Sequence, residues 1–174
     1  MWYFKPKIIK DIAVSASPLL VSLPFTAFDL NKFEEDNEKA LWQPPGYVFG
    51  IVWPLLYASL FVMNYSIFQN TKLSDKFKTI IARDTLIESG LQGIWLYIFR
   101  FNERVKGRSI KQYFWGMGAL FSLLGFGVYR IYNFIFNNEK VSTTNYLINY
   151  LPYFLWINFA TILGVQLYMG ITKK

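Results

Sequence analysis

The sequence predicts an all-α integral membrane protein, a bundle of five transmembrane helices that forms a single domain over residues 1–174. Three observations support this. The chain is 53% hydrophobic and 20% aromatic but only 17% charged, which is too apolar for an ordinary soluble domain of this size. A helix needs about 20 mostly apolar residues to cross the bilayer core, and five such stretches lie at about 12–28, 46–68, 79–99, 113–136 and 146–170. The connections between them are short, so we expect one bundle rather than two domains.

The first span, 12–28, follows a basic start and contains Pro18 and Pro24. A basic start before an apolar stretch can mark a cleavable signal, but no convincing small-residue cleavage site follows Ser22, so we expect the segment to be retained. Prolines in membrane helices are tolerated where neighbouring groups satisfy the freed carbonyls. We therefore predict a kinked first helix.

The second span, 46–68, is preceded by the stretch Trp42-Gln-Pro-Pro45. Proline fixes its own φ angle and restricts the residue before it, so the chain has a stiff approach to this helix. Trp53 follows inside the span. Tryptophans also anchor membrane interfaces without binding a ligand, and we interpret Trp2 and Trp115 in that way.

The third span, 79–99, has polar residues at helical spacing. Glu88, Gln92 and Trp95 share one face of the predicted helix. Polar groups in membrane helices usually face the bundle interior or a cavity, so a functional pocket is one interpretation. The alternative is structural: Arg130 of the fourth span would lie at about the depth of Glu88 and pair with it. Both can hold together, with Gln92 and Trp95 lining a cavity.

The fourth span, 113–136, contains a series of small residues that let helices approach closely. They are Gly116, Gly118, Ala119, Ser122, Gly125 and Gly127. Ser89 and Gly93 form a similar pair in the third span. We expect these residues to pack within the chain, with a dimer face as the alternative. Gly125 and Gly127 could also let a ring system lie against the backbone.

The residue content excludes several kinds of chemistry. The chain has no cysteine and no histidine, which removes disulfides, thiolates, the usual metal ligands and the usual neutral-pH proton shuttle. Carboxylates crowd into the first long loop, where a charge run is usually a solvated face; they are Asp29, Glu34, Glu35, Asp36 and Glu38. No metal site is predicted, and no positioned catalytic group indicates an enzyme.

The net charge of +7 comes from 18 basic and 11 acidic side chains. The bases lie at helix ends, as expected of side chains that face lipid head groups. The loop between the third and fourth spans holds five of them: Arg100, Arg104, Lys106, Arg108 and Lys111. Without a soluble face to present these bases, nucleic acid is not an expected partner. Both sides of the membrane would carry about as many bases, so the positive-inside rule does not choose an orientation.

Two separated motifs carry a resemblance to a known family. In the second span, W-x-P-P leads into F-x-x-x-W-x-x-L-Y at Trp42, Pro44, Pro45, Phe49, Trp53, Leu56 and Tyr57. In the fifth span, P-Y-x-x-W-x-x-F-A-x-x-L stands at Pro152, Tyr153, Trp156, Phe159, Ala160 and Leu163. Together they resemble the translocator protein family, the tryptophan-rich sensory proteins also called peripheral benzodiazepine receptors.

The chain departs from the family pattern at several positions. Pro54 stands where the family has threonine, and Gly164 where it has asparagine. In the third span, Glu88 and Gln92 take the places of a glutamine and an asparagine. The first span lacks the glycine pairs of family members.

The resemblance implies a cavity beneath the first long loop that binds tetrapyrroles, such as porphyrin or haem, or sterols. Trp42 would be a lid, and Gln92 the main hydrogen-bonding group. The implied ligand-binding residues are Trp42, Pro44, Pro45, Phe49, Trp53, Tyr57, Gln92, Trp95, Trp156, Ala160 and Leu163. Leu163, Tyr168 and Lys173 fit a loose sterol-contact pattern that many membrane helices match by chance.

The leading hypothesis is a membrane receptor or carrier for these ligands that requires no cofactor. Its partners would be membrane lipid and the ligand, and a homodimer or larger complex is also open. The alternative is a structural accessory subunit of a larger membrane complex that has lost ligand binding. Retained Trp42 and Trp53 favour the first, and the changes at Gln92 and Gly164 favour the second. Eukaryotic family members are mainly mitochondrial, so we expect a mitochondrial membrane.

Overall fold

The computed structural model describes residues 6–25, 42–101, 110–136 and 144–172. Within these ranges the chain forms five α-helices and a short 3-10 helix at Leu23–Phe25, with no strand. The α-helices are α1 (Pro6–Ser22), α2 (Gly46–Gln69), α3 (Asp75–Phe101), α4 (Ile110–Phe136) and α5 (Thr144–Thr172). The all-α fold class is therefore confirmed.

The first helix is shifted from the predicted first span. α1 begins at Pro6, which suits a first turn because proline lacks an N–H that would be unsatisfied there. It ends at Ser22, and residues 26–28 of the predicted span lie outside the described ranges. The shift arises because an apolar pattern does not mark the polar first turns of a helix, here around Lys7 and Lys10.

The proline inside α1 is accommodated by a neighbouring side chain. Pro18 has no N–H for the carbonyl of Val14. The Ser17 hydroxyl donates to that carbonyl at 2.8 Å and lies 2.9 Å from the Ser89 hydroxyl of α3. The chain itself thus satisfies the carbonyl that Pro18 frees.

The helices form a ring in the order α1, α2, α5, α4, α3, which closes where α3 packs on α1. α2 also meets α3 across the ring. The two are joined by a short turn in which Ser74 caps α3: its hydroxyl accepts a hydrogen bond from the Phe77 N–H at 3.1 Å. This arrangement directs the inner faces of α2, α3 and α5 toward one another.

The outward faces of the helices are apolar. On α5, the side chains of Ile148, Leu155, Ile162 and Met169 recur at seven-residue intervals and are 51–62% exposed. The outward side chains of α2 are exposed to a similar extent: Tyr47, Ile51, Leu55 and Val62. Exposed apolar surface of this extent is unusual for a soluble monomer, whereas lipid covers it readily. These faces favour an integral membrane protein.

Three helical segments are long and apolar enough to cross a membrane: Gly46–Gln69, Phe114–Phe136 and Tyr146–Gln166. α1 has only 17 residues, and α3 carries charged side chains along its length. Length and composition of the described helices therefore support three of the five predicted spans. In α3, however, Asp84 and Glu88 are buried inside the bundle, so mean hydropathy exaggerates the polarity of its outer face.

Small residues allow close helix contacts at two of the predicted places. A Cβ atom on Gly93 would lie 2.7 Å from Val21 Cγ1, and one on Gly127 would lie 2.7 Å from Phe154 Cδ2. The ring against the Gly127 backbone is thus the protein's own Phe154. Gly118 and Gly125 face open space within the described structure.

Candidate ligand-binding site

Aromatic side chains from α2, α3 and α5 meet in one continuous group. Its centre is Trp53, whose ring centroid lies 5.5 Å from that of Trp95 and 6.2 Å from that of Trp156. Tyr57 stacks on Trp53 at 5.5 Å, and Tyr153 lies 6.4 Å away. Three predicted tryptophans that are distant in sequence are therefore neighbours in the fold.

The outer end of this group is Trp42, directly before α2. Its ring meets Phe159 edge to face, with centroids 5.6 Å apart, and Phe159 stacks on Trp156 at 4.9 Å. Phe49 packs against both of these rings, with its ring centroid 5.5 Å from that of Trp156 and 6.3 Å from that of Phe159. We call the whole set the aromatic cluster: Trp42, Phe49, Trp53, Tyr57, Trp95, Tyr153, Trp156 and Phe159. Because Trp42 is 44% exposed and Trp95 only 7%, the cluster runs from the surface into the bundle.

Pro44 and Pro45 hold the chain between Trp42 and α2. Pro45 precedes the helix with φ −54° and ψ 146°, an extended conformation that proline favours. Its carbonyl accepts the Val48 N–H at 3.0 Å, which starts the helix. The two prolines thus fix the approach that brings Trp42 against Phe159 of α5.

Helical spacing explains which residues face the cluster. Phe49, Trp53 and Tyr57 are four residues apart and so lie on one face of α2. On α5, Ala160 and Leu163 continue the helical spacing of the cluster side chains and are buried, at 8% and 6% exposure. The two faces meet because α2 packs on α5.

Gln92 is buried next to the cluster, but its hydrogen bonds go to the chain. Its Nε2 donates to the carbonyl oxygen of Pro18 at 3.2 Å. Its Oε1 accepts a long hydrogen bond of 3.5 Å from the Tyr153 hydroxyl. Buried polar groups need such partners, and Gln92 thereby connects α1, α3 and α5.

Unlike the side-chain amide of Gln92, the indole N–H of Trp156 is not satisfied by a hydrogen bond within the described structure. Nε1 is buried and has no hydrogen-bond partner among the described residues. Indole nitrogen can only donate, and an unsatisfied buried donor costs about 1–3 kcal/mol. The aromatic cluster therefore contains an unused donor.

A group of buried polar side chains adjoins the cluster through Tyr150, whose ring lies 5.8 Å from that of Tyr153. Arg130 Nη1 donates to Glu88 Oε2 at 2.5 Å, and the Tyr150 hydroxyl donates to Glu88 Oε1. We call the following five residues the polar cluster: Asn64, Thr85, Glu88, Arg130 and Tyr150. Each is at most 2% exposed.

The rest of the polar cluster accepts hydrogen bonds from the second terminal nitrogen of Arg130. Its Nη2 donates to Asn64 Oδ1 and to Thr85 Oγ1, both at 3.3 Å. Thr85 Oγ1 donates in turn to Asn64 Oδ1 at 3.2 Å. The polar cluster thus joins α2, α3, α4 and α5 around one matched pair of charges.

Sequence reasoning found part of this arrangement. The pairing of Glu88 with Arg130 is confirmed. Asn64 and Tyr150 were missed as partners of that pair; the signal was available for Asn64, a lone amide in the apolar run LFVMNYSIF. Phe159 belongs to the motif of the fifth span but was not predicted as a ligand-binding residue.

Some predicted positions lie beyond what the structure describes. Leu163 is buried in α5, but the Tyr168 side chain and Lys173, which complete the loose sterol-contact pattern, are outside the described residues. So are the carboxylates predicted for the first long loop and three of the bases predicted between the third and fourth spans, Arg104, Lys106 and Arg108. The other two lie in helices and not in that loop, Arg100 in α3 and Lys111 in α4.

Comparison with known proteins identifies a family. A family model, described as TspO/MBR family, matches residues 14–169 and so includes both aromatic motifs. No curated protein and no solved structure matches the chain.

Proposed function

Because the chain belongs to the TspO/MBR family, we propose that it is a membrane receptor or carrier that binds a tetrapyrrole or a sterol at the aromatic cluster. The observation that carries the proposal is the meeting of Trp53 with Trp95 and Trp156, each within 6.2 Å. Aromatic faces offer stacking area to large, flat, apolar ligands, and a few polar groups orient them. Trp42, half exposed at the outer end, is where a ligand enters.

The proposal includes five membrane-spanning helices. α3 lies between α1 and α4, and its carboxylate Glu88 is paired inside the bundle with Arg130 of a helix that is itself apolar enough to span. Ionisable groups at membrane depth face the interior and pair in this way. α1 packs against both α2 and α3, so we include it among the spans.

The experiment is a titration of the detergent-purified protein with protoporphyrin and, separately, with a fluorescent sterol. Tryptophan emission is followed in the native chain, in Trp53→Phe and in Trp115→Phe. Trp115 is 64% exposed and outside the cluster, so its variant controls for the loss of one tryptophan. We expect saturable binding of at least one ligand that weakens about tenfold in Trp53→Phe and is unchanged in Trp115→Phe. Quenching by both ligands that never saturates and is alike in all three chains would contradict the proposal.

A second candidate is a structural accessory subunit of a larger membrane complex. Two observations favour it: the cluster rings contact one another, and Gln92 bonds to Pro18 and Tyr153 of its own chain. Native-gel migration of the protein from its source membrane in mild detergent tests this. Stable migration with other proteins, combined with no ligand binding, would favour this candidate over the first.

For location, we propose a mitochondrial membrane, on the strength of the resemblance to eukaryotic family members. Fractionation of source cells, with the protein followed by a C-terminal tag, tests it. Recovery with another membrane would contradict this part of the proposal.

A further inference from the structure

The cation behind the aromatic cluster is already neutralised. Arg130 is the only buried base among the described residues. Glu88 pairs with it at 2.5 Å, and Asn64 and Thr85 accept from its other terminal nitrogen. Among the described residues Arg130 Nε has no partner, yet the full charge of the guanidinium is matched by the Glu88 carboxylate. A ligand carboxylate would have to displace Glu88 to gain that charge.

The ring of Tyr150 separates this pair from the aromatic cluster. The guanidinium carbon of Arg130 lies 5.0 Å from the centroid of the Tyr150 ring, and on the cluster side that ring packs against Tyr153. The Tyr150 hydroxyl is engaged by Glu88. What faces the cluster is therefore ring surface and not a charge.

The buried hydrogen-bond donor that the described residues leave unsatisfied in the aromatic cluster belongs to an uncharged group, the indole of Trp156. Both functional atoms of Gln92 are bonded to the chain, whereas Trp156 Nε1 lacks a partner among the described residues. A single indole N–H matches a carbonyl, ester or hydroxyl oxygen. It does not offset the dehydration of a carboxylate, which needs a cation or several donors.

From these features we propose that the aromatic cluster selects uncharged polycyclic ligands whose oxygen accepts a hydrogen bond from Trp156 Nε1, and that it discriminates against ligands bearing carboxylate or sulfate at the same position. The inference rests on the proposed function, because it names the ligand class of that same site. It separates two groups that the family resemblance leaves together, anionic and uncharged ligands.

The test compares matched pairs on the native chain. Protoporphyrin, a diacid, is compared with its dimethyl ester, and a sterol is compared with its sulfate ester, by competition and tryptophan quenching in detergent. Each affinity is referred to the partition of that probe into protein-free micelles. In whichever class binds, the uncharged member is expected to bind at least about tenfold more tightly.

The outcomes distinguish this inference from the proposed function. If the charged member binds as tightly as the uncharged one and Trp53→Phe weakens it, the inference is overturned while the receptor function stands. If no member of either pair binds saturably, the proposed function fails and the inference fails with it. A clear preference for the uncharged member that disappears in Trp53→Phe supports both.

The role of the indole N–H has its own test. Trp156→Phe keeps an aromatic ring and removes the donor, so binding of the ester or the sterol should weaken by about threefold to tenfold. The control ligands are etioporphyrin and cholestane, which present the same ring systems without oxygen. If Trp156→Phe weakens these controls as much as the oxygen-bearing ligands, the N–H does not recognise the ligand. Trp115→Phe serves as the variant that should alter neither affinity.

Discussion

At the scale of single residues, the burial of the Glu88 carboxylate requires specific hydrogen-bonding partners in the interior of the bundle. Dehydrating a carboxylate and a guanidinium costs several kcal/mol for each ion, and only close pairing with further hydrogen bonds offsets that cost. Glu88 has such a set, since it accepts from both Arg130 and Tyr150. The consequence is an asymmetry: removing one partner leaves a buried charge, whereas removing both leaves none.

We expect Arg130→Met to destabilise the protein by about 3–5 kcal/mol, because Glu88 then remains buried without its counter-charge. Adding Glu88→Gln to Arg130→Met should recover a substantial part of this loss. Thermal unfolding in detergent, followed by tryptophan emission, measures both. A double variant less stable than Arg130→Met alone would show that the pair is not coupled as described.

Tyr150 tests the hydroxyl separately from the ring. Tyr150→Phe keeps the ring over the Arg130 guanidinium and removes the donor to Glu88. A hydrogen bond to a charged group contributes about 1.5–3 kcal/mol, and we expect unfolding to become easier by that amount. Tyr132→Phe is the matched control, since Tyr132 is 57% exposed on α4. Equal stability of the two variants would argue against a bond between Tyr150 and Glu88.

At the scale of helices, periodicity in the sequence predicted which residues share a helix face. It did not predict contacts between residues that are far apart in the sequence. The spacing of Glu88, Gln92 and Trp95 indicated one face of α3, and the structure buries all three side chains inside the bundle. Nothing in the local pattern indicated that Gln92 would bond to the carbonyl of Pro18, since that contact depends on how α1 lies against α3. The start of α1 at Pro6 was missed because its first turns are polar.

α4 offers a matched pair of glycines for testing helix packing. A Cβ on Gly127 would meet the Phe154 ring at 2.7 Å, while one on Gly125 meets nothing within 4 Å. Gly127→Ala should therefore destabilise the α4–α5 contact by about 1–3 kcal/mol, since the ring cannot shift freely. Gly125→Ala should be neutral or slightly stabilising, because alanine favours helix. Thermal unfolding of the two variants decides this, and equal effects would mean that α4 and α5 are not packed as described.

At the scale of the whole molecule, the chain places apolar surface outside and paired charges inside. The exposed side chains of α2 and α5 are predominantly apolar, while Glu88 and Arg130 meet in the centre of the ring. The sequence predicted five spans from apolar runs, and the length and hydropathy of the described helices support three of them.

Cysteine labelling distinguishes five spans from three, and the chain contains no cysteine that would react in the background. Single cysteines replace Lys7, Gln43, Lys72 and Thr144, and sealed vesicles are treated with a membrane-impermeant maleimide. Five spans require Lys7→Cys, Lys72→Cys and Thr144→Cys to be labelled from one side and Gln43→Cys from the other. Labelling of positions 72 and 144 from opposite sides would show that α3 does not cross the membrane.

The most direct test of the central claim, that the aromatic cluster is a ligand site, is photo-crosslinking in membranes with an uncharged photoreactive sterol and an uncharged photoreactive porphyrin, mapped by mass spectrometry. The account predicts adducts of at least one probe at side chains of the aromatic cluster, such as Trp53 of α2 and Trp156 of α5, and their loss when unlabelled ligand competes. Adducts of both probes confined to the lipid-facing positions Leu55, Leu155 and Ile162, and unaffected by competitor, would contradict it.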